Sequence, residues 1–158
     1  MTEFEKLFEE NRGFIFKYLL KLSRDACLSE ELTQETFFRA YMNYAALREK
    51  DKASVWLCQI AKNTYYAWFN EQKKKAPLDD FEAVSDGRNV EDAVIRKELS
   101  EEVLRLLHEL EEPYKEVFML SVFGGFSFKD ISTVFGKSES WARVTFYRAK
   151  QKLSERMR

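Results

Sequence analysis

Apolar side chains recur at helical spacing almost from one end of the chain to the other, and no segment alternates in the way of a strand. Phe4, Leu7, Phe8, Ile15, Leu19 and Leu22 open the pattern. Positions three and four apart share one face of a helix, so each such run predicts a helix with one buried side. Only five Gly and two Pro occur in 158 residues, which leaves few places for the chain to turn. The expected class is all-α. Arg24 to Leu28 breaks the first run, and Ser29, followed by Glu30 and Glu31, is placed to cap a second helix through Leu32, Phe37, Phe38 and Tyr41. Arg48 to Lys52 reads as a loop. A third helix follows, with Leu57, Ile60, Ala61, Thr64 and Trp68 on one face.

Residues 73–92 differ in kind. They carry Lys73, Lys74 and Lys75, then Pro77, a set of acids and Gly87, with few large apolar residues. That composition reads as a linker. The chain therefore divides into a helical domain over 1–74, a flexible linker over 75–92 and a second small helical domain over 93–158. Helical spacing resumes with Val94, Leu99, Val103, Leu106, Leu107 and Leu110. Pro113 suits the first turn of a helix over Tyr114 to Phe123, and Gly124-Gly125 ends it. Ser127-Phe-Lys-Asp130 matches a capping box and opens a short helix that Gly136 stops. Ser138 or Ser140 can then cap a last helix from Trp141 to about Arg156.

A short helix, a glycine turn and a capped longer helix is the helix-turn-helix plan. On the last helix Ala142, Phe146, Ala149 and Leu153 form the stripe expected to be buried. Arg143, Tyr147, Arg148, Lys150 and Lys152 fall on the other face. From Lys137 to Arg158 there are seven basic and two acidic residues, whereas Ala93 to Gly136 holds five basic and eight acidic. A basic C-terminal helix also complements its own dipole; the helix and turn before it favour DNA. Arg143 can pair with guanine edges, Trp141 and Thr145 can touch thymine methyls, and Arg148 and Lys150 can hold phosphates. Ser138, Ser140, Val144 and Tyr147 complete this candidate DNA face.

The third helix is crowded with Trp56, Tyr65, Tyr66, Trp68 and Phe69. Its expected outer face holds Gln59, Lys62, Asn63, Tyr66, Asn70 and Lys73, with Lys74 following. Amides, an aromatic ring and lysines suit unstacked bases and a phosphate backbone. A core helix with a solvated face would look the same.

Taken together, the two halves resemble the bacterial RNA polymerase sigma factors of the extracytoplasmic-function class, over nearly the whole chain. Leu28-Ser-Glu-Glu-Leu-Thr-Gln-Glu-Thr-Phe-Phe-Arg-Ala-Tyr41 is similar to that family's core-polymerase-binding helix. Trp56-Leu-Cys-Gln-Ile-Ala-Lys-Asn63 and the basic run beyond it resemble the segment that reads the minus-ten element. Leu110-Glu-Glu-Pro-Tyr-Lys-Glu-Val-Phe118 and the helix-turn-helix resemble the domain that reads the minus-thirty-five element. The resemblance implies that Glu31, Gln34, Glu35, Phe38 and Arg39 face the clamp helices of the largest polymerase subunit. It implies that the loop from about Ala46 to Ser54, with Asn63 nearby, captures a flipped base of the non-template strand. It further implies promoter DNA and core RNA polymerase as partners, an inhibitory anti-sigma factor that is membrane-bound in many relatives, and a cytoplasmic location. The recognition helix departs from the family pattern at Arg143-Val144-Thr145 and at Trp141, so no promoter sequence carries over.

Charge and chemistry agree with a subunit that works through a partner. The net charge is -1, so the chain as a whole does not attract a polyanion. Opening DNA costs about 1.4 kcal/mol per base-pair step, and stacking returns about 1–3 kcal/mol per captured base. The candidate aromatics are too few to balance some ten opened pairs. No GxxxxGK[ST] loop is present to couple nucleotide hydrolysis to opening. Two cysteines and one histidine offer neither a disulfide framework nor a zinc site, so no cofactor is expected. No apolar run approaches the length of a membrane span, and no direct membrane insertion is expected. Cys27 and Cys58 are both expected to be buried packing residues. The linker, nineteen residues from Lys73 to Glu91, reaches about 60 Å if extended. A stand-alone helix-turn-helix regulator, dimeric on a palindrome, is the alternative reading. A small nucleic-acid enzyme lacks the clustered carboxylates, Cys–His pair or phosphate loop it would need.

Overall fold

Helix α1, Glu3–Ser23, begins where Thr2 takes an extended conformation and its side chain accepts a hydrogen bond from the Glu5 N–H. The Glu5 carboxylate returns a bond to the Thr2 N–H, completing a capping box. The chain reverses within two residues at its other end. Arg24 is left-handed at φ 57° and ψ 23°, and Asp25 is extended and caps helix α2, Ala26–Met42, through the Leu28 N–H at 3.1 Å. The expected cap at Ser29 is thus corrected. The helix starts earlier because the left-handed Arg24 turns the chain at once, and Ser29 is fully buried with its hydroxyl 2.8 Å from that of Ser23. Helix α3, Ala53–Lys75, follows two short 3-10 turns at Tyr44–Ala46 and Lys50–Lys52.

The computed structural model describes residues 1–47, 49–75 and 100–157. It divides into two units, within Met1–Pro77 and within Leu78–Arg158. Among the described residues every regular element is helical. The expected linker, most of residues 75–92, and the periodicity at Val94 and Leu99 lie outside them.

In the first unit α1, α2 and α3 each pack against the other two. Ile15, Tyr18, Leu19 and Leu57 are its most deeply buried large side chains. Small residues let the helices approach: Ala40 and Ala61 are completely enclosed. Buried Thr33 and Thr36 donate to the Ser29 and Leu32 carbonyls in the preceding turn, so their hydroxyls enter the core satisfied.

The second unit comprises α4, Glu101–Glu109; α5, Tyr114–Val122; α6, Phe128–Phe135; and α7, Glu139–Arg156. Ser100, Ser127 and Ser138 each cap the helix that follows, accepting from an N–H three residues on. Ser138, not Ser140, therefore caps the last helix, and Ser140 lies in its first turn. Pro113 stands one position before α5 rather than inside it. Two glycines are required by the backbone. Gly136 closes α6 at φ 65°, a conformation side chains disfavour. A Cβ on Gly124 would lie 2.6 Å from the Phe126 ring and 2.8 Å from the Leu120 carbonyl oxygen. The connection between α5 and α6 can close only without that atom.

Helix α7 packs on α4, α5 and α6. Ala142, Phe146, Ala149 and Leu153 are buried in it as expected, with Phe146 stacked on Phe118 at 5.8 Å and tilted against Phe128 at 5.5 Å. At its far end Glu111, just beyond α4, accepts from Arg156 at 2.9 Å and Lys152 at 3.1 Å. These bonds hold the Glu111 carboxyl at a pKa of about 2, below its ordinary 4.5. A depressed pKa gives stability that is present above about pH 4.5 and is lost as pH falls toward about 2. The pair is exposed and screened, so the effect is small. Glu111→Gln is expected to flatten the acid limb of the second unit's melting temperature across that window, by an amount that shrinks in high salt. An unchanged acid limb counts against the clamp.

Candidate polymerase and nucleic-acid interfaces

Helix α2 buries Leu32, Thr33, Thr36, Phe37 and Ala40 against its neighbours. The side turned away carries Glu31, Gln34, Glu35 and Phe38, all exposed, and half-exposed Arg39. Arg39 Nε donates to Glu35 Oε1 at 3.1 Å across one turn. Phe38 is 61% exposed. The exposed surface extends beyond the expected Arg39 to Tyr41 at 63% and Met42 at 66%. Tyr41 also meets Phe4 edge-on at 5.2 Å. The missed signal was spacing: Tyr41 and Met42 lie three and four residues beyond Phe38, hence on its face.

Helix α3 shows where the expected outer face needs correction. Lys62 and Tyr66 are buried, at 6% and 9% exposure. Because α3 packs on both α1 and α2, more of its circumference is covered than a single apolar stripe predicts. Ala53, Val55, Leu57, Cys58, Ala61 and Thr64 complete the buried side. Ile60 and Trp68, expected inside, are only half-buried. What stays open is a narrower stripe. Trp56 and Gln59 are half-exposed, and Asn63, Asn70, Lys73 and Lys74 are exposed. An indole stands at one end of this stripe, amides follow, and ammonium groups stand at the other end. Ser54, the last residue of the expected base-capturing loop, lies in the first turn of α3 and donates to Asn11 Oδ1 at 2.6 Å, which ties the start of α3 to α1.

The cysteines separate as well. Cys58 is buried, and burial pushes its thiol pKa up. Cys27 is exposed in the first turn of α2, against expectation, because that turn begins before the apolar pattern does. A thiol reagent is expected to modify one cysteine in the native protein and both after denaturation. Cys27→Ser should remove the native reaction, whereas fast reaction of both native thiols contradicts this packing.

On α7, Ser138, Ser140, Arg143, Val144, Tyr147 and Arg148 are exposed. Lys150 is half-buried, its Nζ 5.1 Å from the Tyr147 ring centroid. Thr145 is buried at 5%, so the expected thymine contact is corrected: it lies next to the buried stripe, on the side facing the core. Trp141 is half-buried, packed 5.2 Å from Phe135. Arg143 is held at two points, by Glu139 Oε1 at 3.4 Å and over the Phe128 ring at 5.7 Å. Glu139, at the first position of the helix, stands one turn before Arg143, the spacing at which an acid and a base pair on a helix. Among the described residues there is no group of three metal-ligating side chains and no helix long and apolar enough to cross a membrane.

Comparisons with known proteins follow the same division. The family described as sigma-70 region 2 matches residues 7–75, and sigma-70, region 4 matches residues 100–153. The chain is 27% identical to the ECF RNA polymerase sigma factor SigM of Bacillus subtilis over 150 residues, 94% of this chain and 91% of that protein. It is 25% identical to RNA polymerase sigma factor YlaC of the same organism, over 97% of this chain and 91% of the relative. Its fold matches a chain of the co-crystal structure of the sigma factor RpoE with the anti-sigma factor NepR from Bartonella quintana. The TM-score there is 0.57 at 17% identity, over 98% of this chain and 96% of that one. The stand-alone regulator is not favoured, since the region 2 match accounts for the first unit. Two sigma-70 regions in order, on two helical units, with extracytoplasmic-function relatives along nearly the full length, place this chain in the extracytoplasmic-function class of the sigma-70 family, the RNA polymerase sigma factors that direct promoter-specific transcription.

Proposed function

We propose that the chain divides this task among three exposed faces. The face of α2 bearing Glu31, Gln34, Glu35, Phe38 and Arg39 docks on the clamp helices of the largest polymerase subunit. The stripe of α3 from Trp56 through Gln59 and Asn63 to Lys73 and Lys74 takes the non-template strand of the minus-ten element, with the Ala46–Ser54 loop receiving a flipped base. Helix α7, through Ser138, Ser140, Arg143, Val144, Tyr147, Arg148 and Lys150, enters the major groove of the minus-thirty-five element. Lys62, Tyr66 and Thr145 support these faces from inside. Residues 75–92 tether a polymerase and minus-ten domain, 1–74, to a minus-thirty-five domain, 93–158.

The observation that carries this reading is the exposed Phe38 on an acidic helix face that the first unit does not use for its own core. A near-neutral chain gains little affinity for DNA from net charge, so the docking partner must supply the remaining contacts. The chain works in the cytoplasm as a non-enzymatic initiation factor on promoter DNA. An anti-sigma factor, attached to the membrane as in many relatives, holds it inactive by covering the same faces; what supports an anti-sigma partner is the likeness to RpoE, which was crystallised with the anti-sigma factor NepR.

The test is run-off transcription by bacterial core polymerase on a pool of randomised promoters, with and without the chain. Transcripts that need the chain, from templates sharing two short elements at fixed spacing, support the reading. A core enzyme that neither binds the chain nor responds to it overturns the role of α2.

A further inference from the structure

Helix α7 leaves two large apolar side chains in water, Val144 at 46% exposure and Tyr147 at 55%. They stand three residues apart, hence side by side, on the side opposite Ala142, Ala149 and Leu153. They therefore occupy the middle of the exposed face. The cations lie around them: Arg148 on one flank, Arg143 and Lys150 on the other. Arg143 pairs with Glu139 one turn back on α7 and lies over the Phe128 ring of α6.

We propose that Val144 and Tyr147 read thymine methyl groups, so that the minus-thirty-five element of this protein is selected by thymine at the positions they meet. The inference rests on α7 occupying the major groove. A valine side chain has neither donor nor acceptor and cannot distinguish bases by hydrogen bonding. The thymine C5-methyl is the apolar group that the major groove presents. The surrounding cations make duplex DNA the fitting occupant of this apolar patch, because they meet phosphates on either side of the groove. Of the side chains first expected to make these contacts, Thr145 is buried and Trp141 is half-buried against Phe135, whereas Val144 and Tyr147 stand in the open. Tyr147 adds a ring edge to Val144, and its hydroxyl remains able to bond a neighbouring base or phosphate.

The experiment uses holoenzyme assembled from bacterial core polymerase and the full chain, on a promoter taken from the randomised pool. Each thymine of the upstream element is replaced in turn by deoxyuridine, which removes the methyl group alone, and affinity is measured by competition. The wild-type holoenzyme should lose about fourfold at one or two positions, the worth of one buried methyl group. Val144→Ala should lose a similar factor on the thymine template and show no further loss with deoxyuridine at one of those positions. Tyr147→Ala should do the same at the other. Alanine is a good helix former at an exposed site, so both variants should fold. No deoxyuridine effect in the wild type overturns the proposal. So does a Val144→Ala loss that is equal on both templates with the deoxyuridine penalty intact, which would mark the patch as a protein contact. Holoenzyme that binds no template at all overturns the major-groove reading itself, and the proposal with it.

Discussion

Phe118→Ala should unfold the second unit while leaving the first folded. Phe118 is completely buried, and its ring stacks on Phe146 at 5.8 Å with 18° between planes. Truncating such a ring typically costs about 3–5 kcal/mol, the lost transfer energy plus the cavity left behind. A domain of this size has a total stability of only about 3–9 kcal/mol. The substitution therefore removes most of what holds α4 to α7 together. It acts directly on α7, since the Phe146 ring of that helix stacks on Phe118 of α5. Helices α1 to α3 pack on one another and form their own core around Ile15, Tyr18, Leu19 and Leu57. Amide hydrogen exchange is the measurement. Protection should fall across Glu101–Glu109 to Glu139–Arg156 and persist across Glu3–Ser23, Ala26–Met42 and Ala53–Lys75. Loss of protection in both sets would show that the units do not fold separately. Promoter selectivity of the holoenzyme at the upstream element should disappear with the protection, while binding to core polymerase through α2 should survive.

Local rules of the chain make much of the second unit legible in its sequence. Ser127, Gly136 and the Ala142-to-Leu153 stripe each announce one feature, and each feature occurs where announced. The errors have a common origin: they sit where tertiary packing, not spacing, decides. The start of α2 differs from the expectation because a left-handed arginine, a conformation the residue type does not advertise, turns the chain directly after α1. Lys62 and Tyr66 were assigned to solvent because one apolar stripe was counted on a helix that has two neighbours. Thr145 was assigned to DNA because a threonine between basic residues looks polar, yet it borders the buried side of α7. At the candidate interfaces the sequence revealed residue types well and directions poorly. Arg143 illustrates this: its position on the outer face and its pairing with Glu139 one turn earlier are legible from spacing, but its seat over the Phe128 ring depends on how α6 crosses α7.

The face of α2 provides the other large expected effect. Phe38→Ala should weaken binding to core polymerase by about thirtyfold without destabilising the isolated chain. At 61% exposure the ring contributes little to the core of its own unit, so truncation leaves no cavity there. A phenyl ring left in water among Glu31, Gln34 and Glu35 is the kind of aromatic anchor that dominates an interface once a partner covers it. Truncating such an anchor commonly costs about 2 kcal/mol or more, and each 1.4 kcal/mol is tenfold in affinity. The charges around it should matter less. Glu35 and Arg39 already pair with each other at 3.1 Å in the open, and an exposed pair of this kind is worth about 0–1 kcal/mol. Glu35→Ala is therefore expected to change affinity by fivefold or less and to act chiefly on the association rate and its salt dependence. Met42→Ala and Tyr41→Ala distinguish an extended apolar contact from a single anchor, since both lie one turn beyond Phe38 on the same side. Titration of fluorescently labelled chain with core polymerase reads all four variants, and thermal melts of the free chain control for folding. A Phe38→Ala chain that melts normally and binds core as tightly as the wild type would remove α2 from the polymerase interface and leave its exposed ring unexplained.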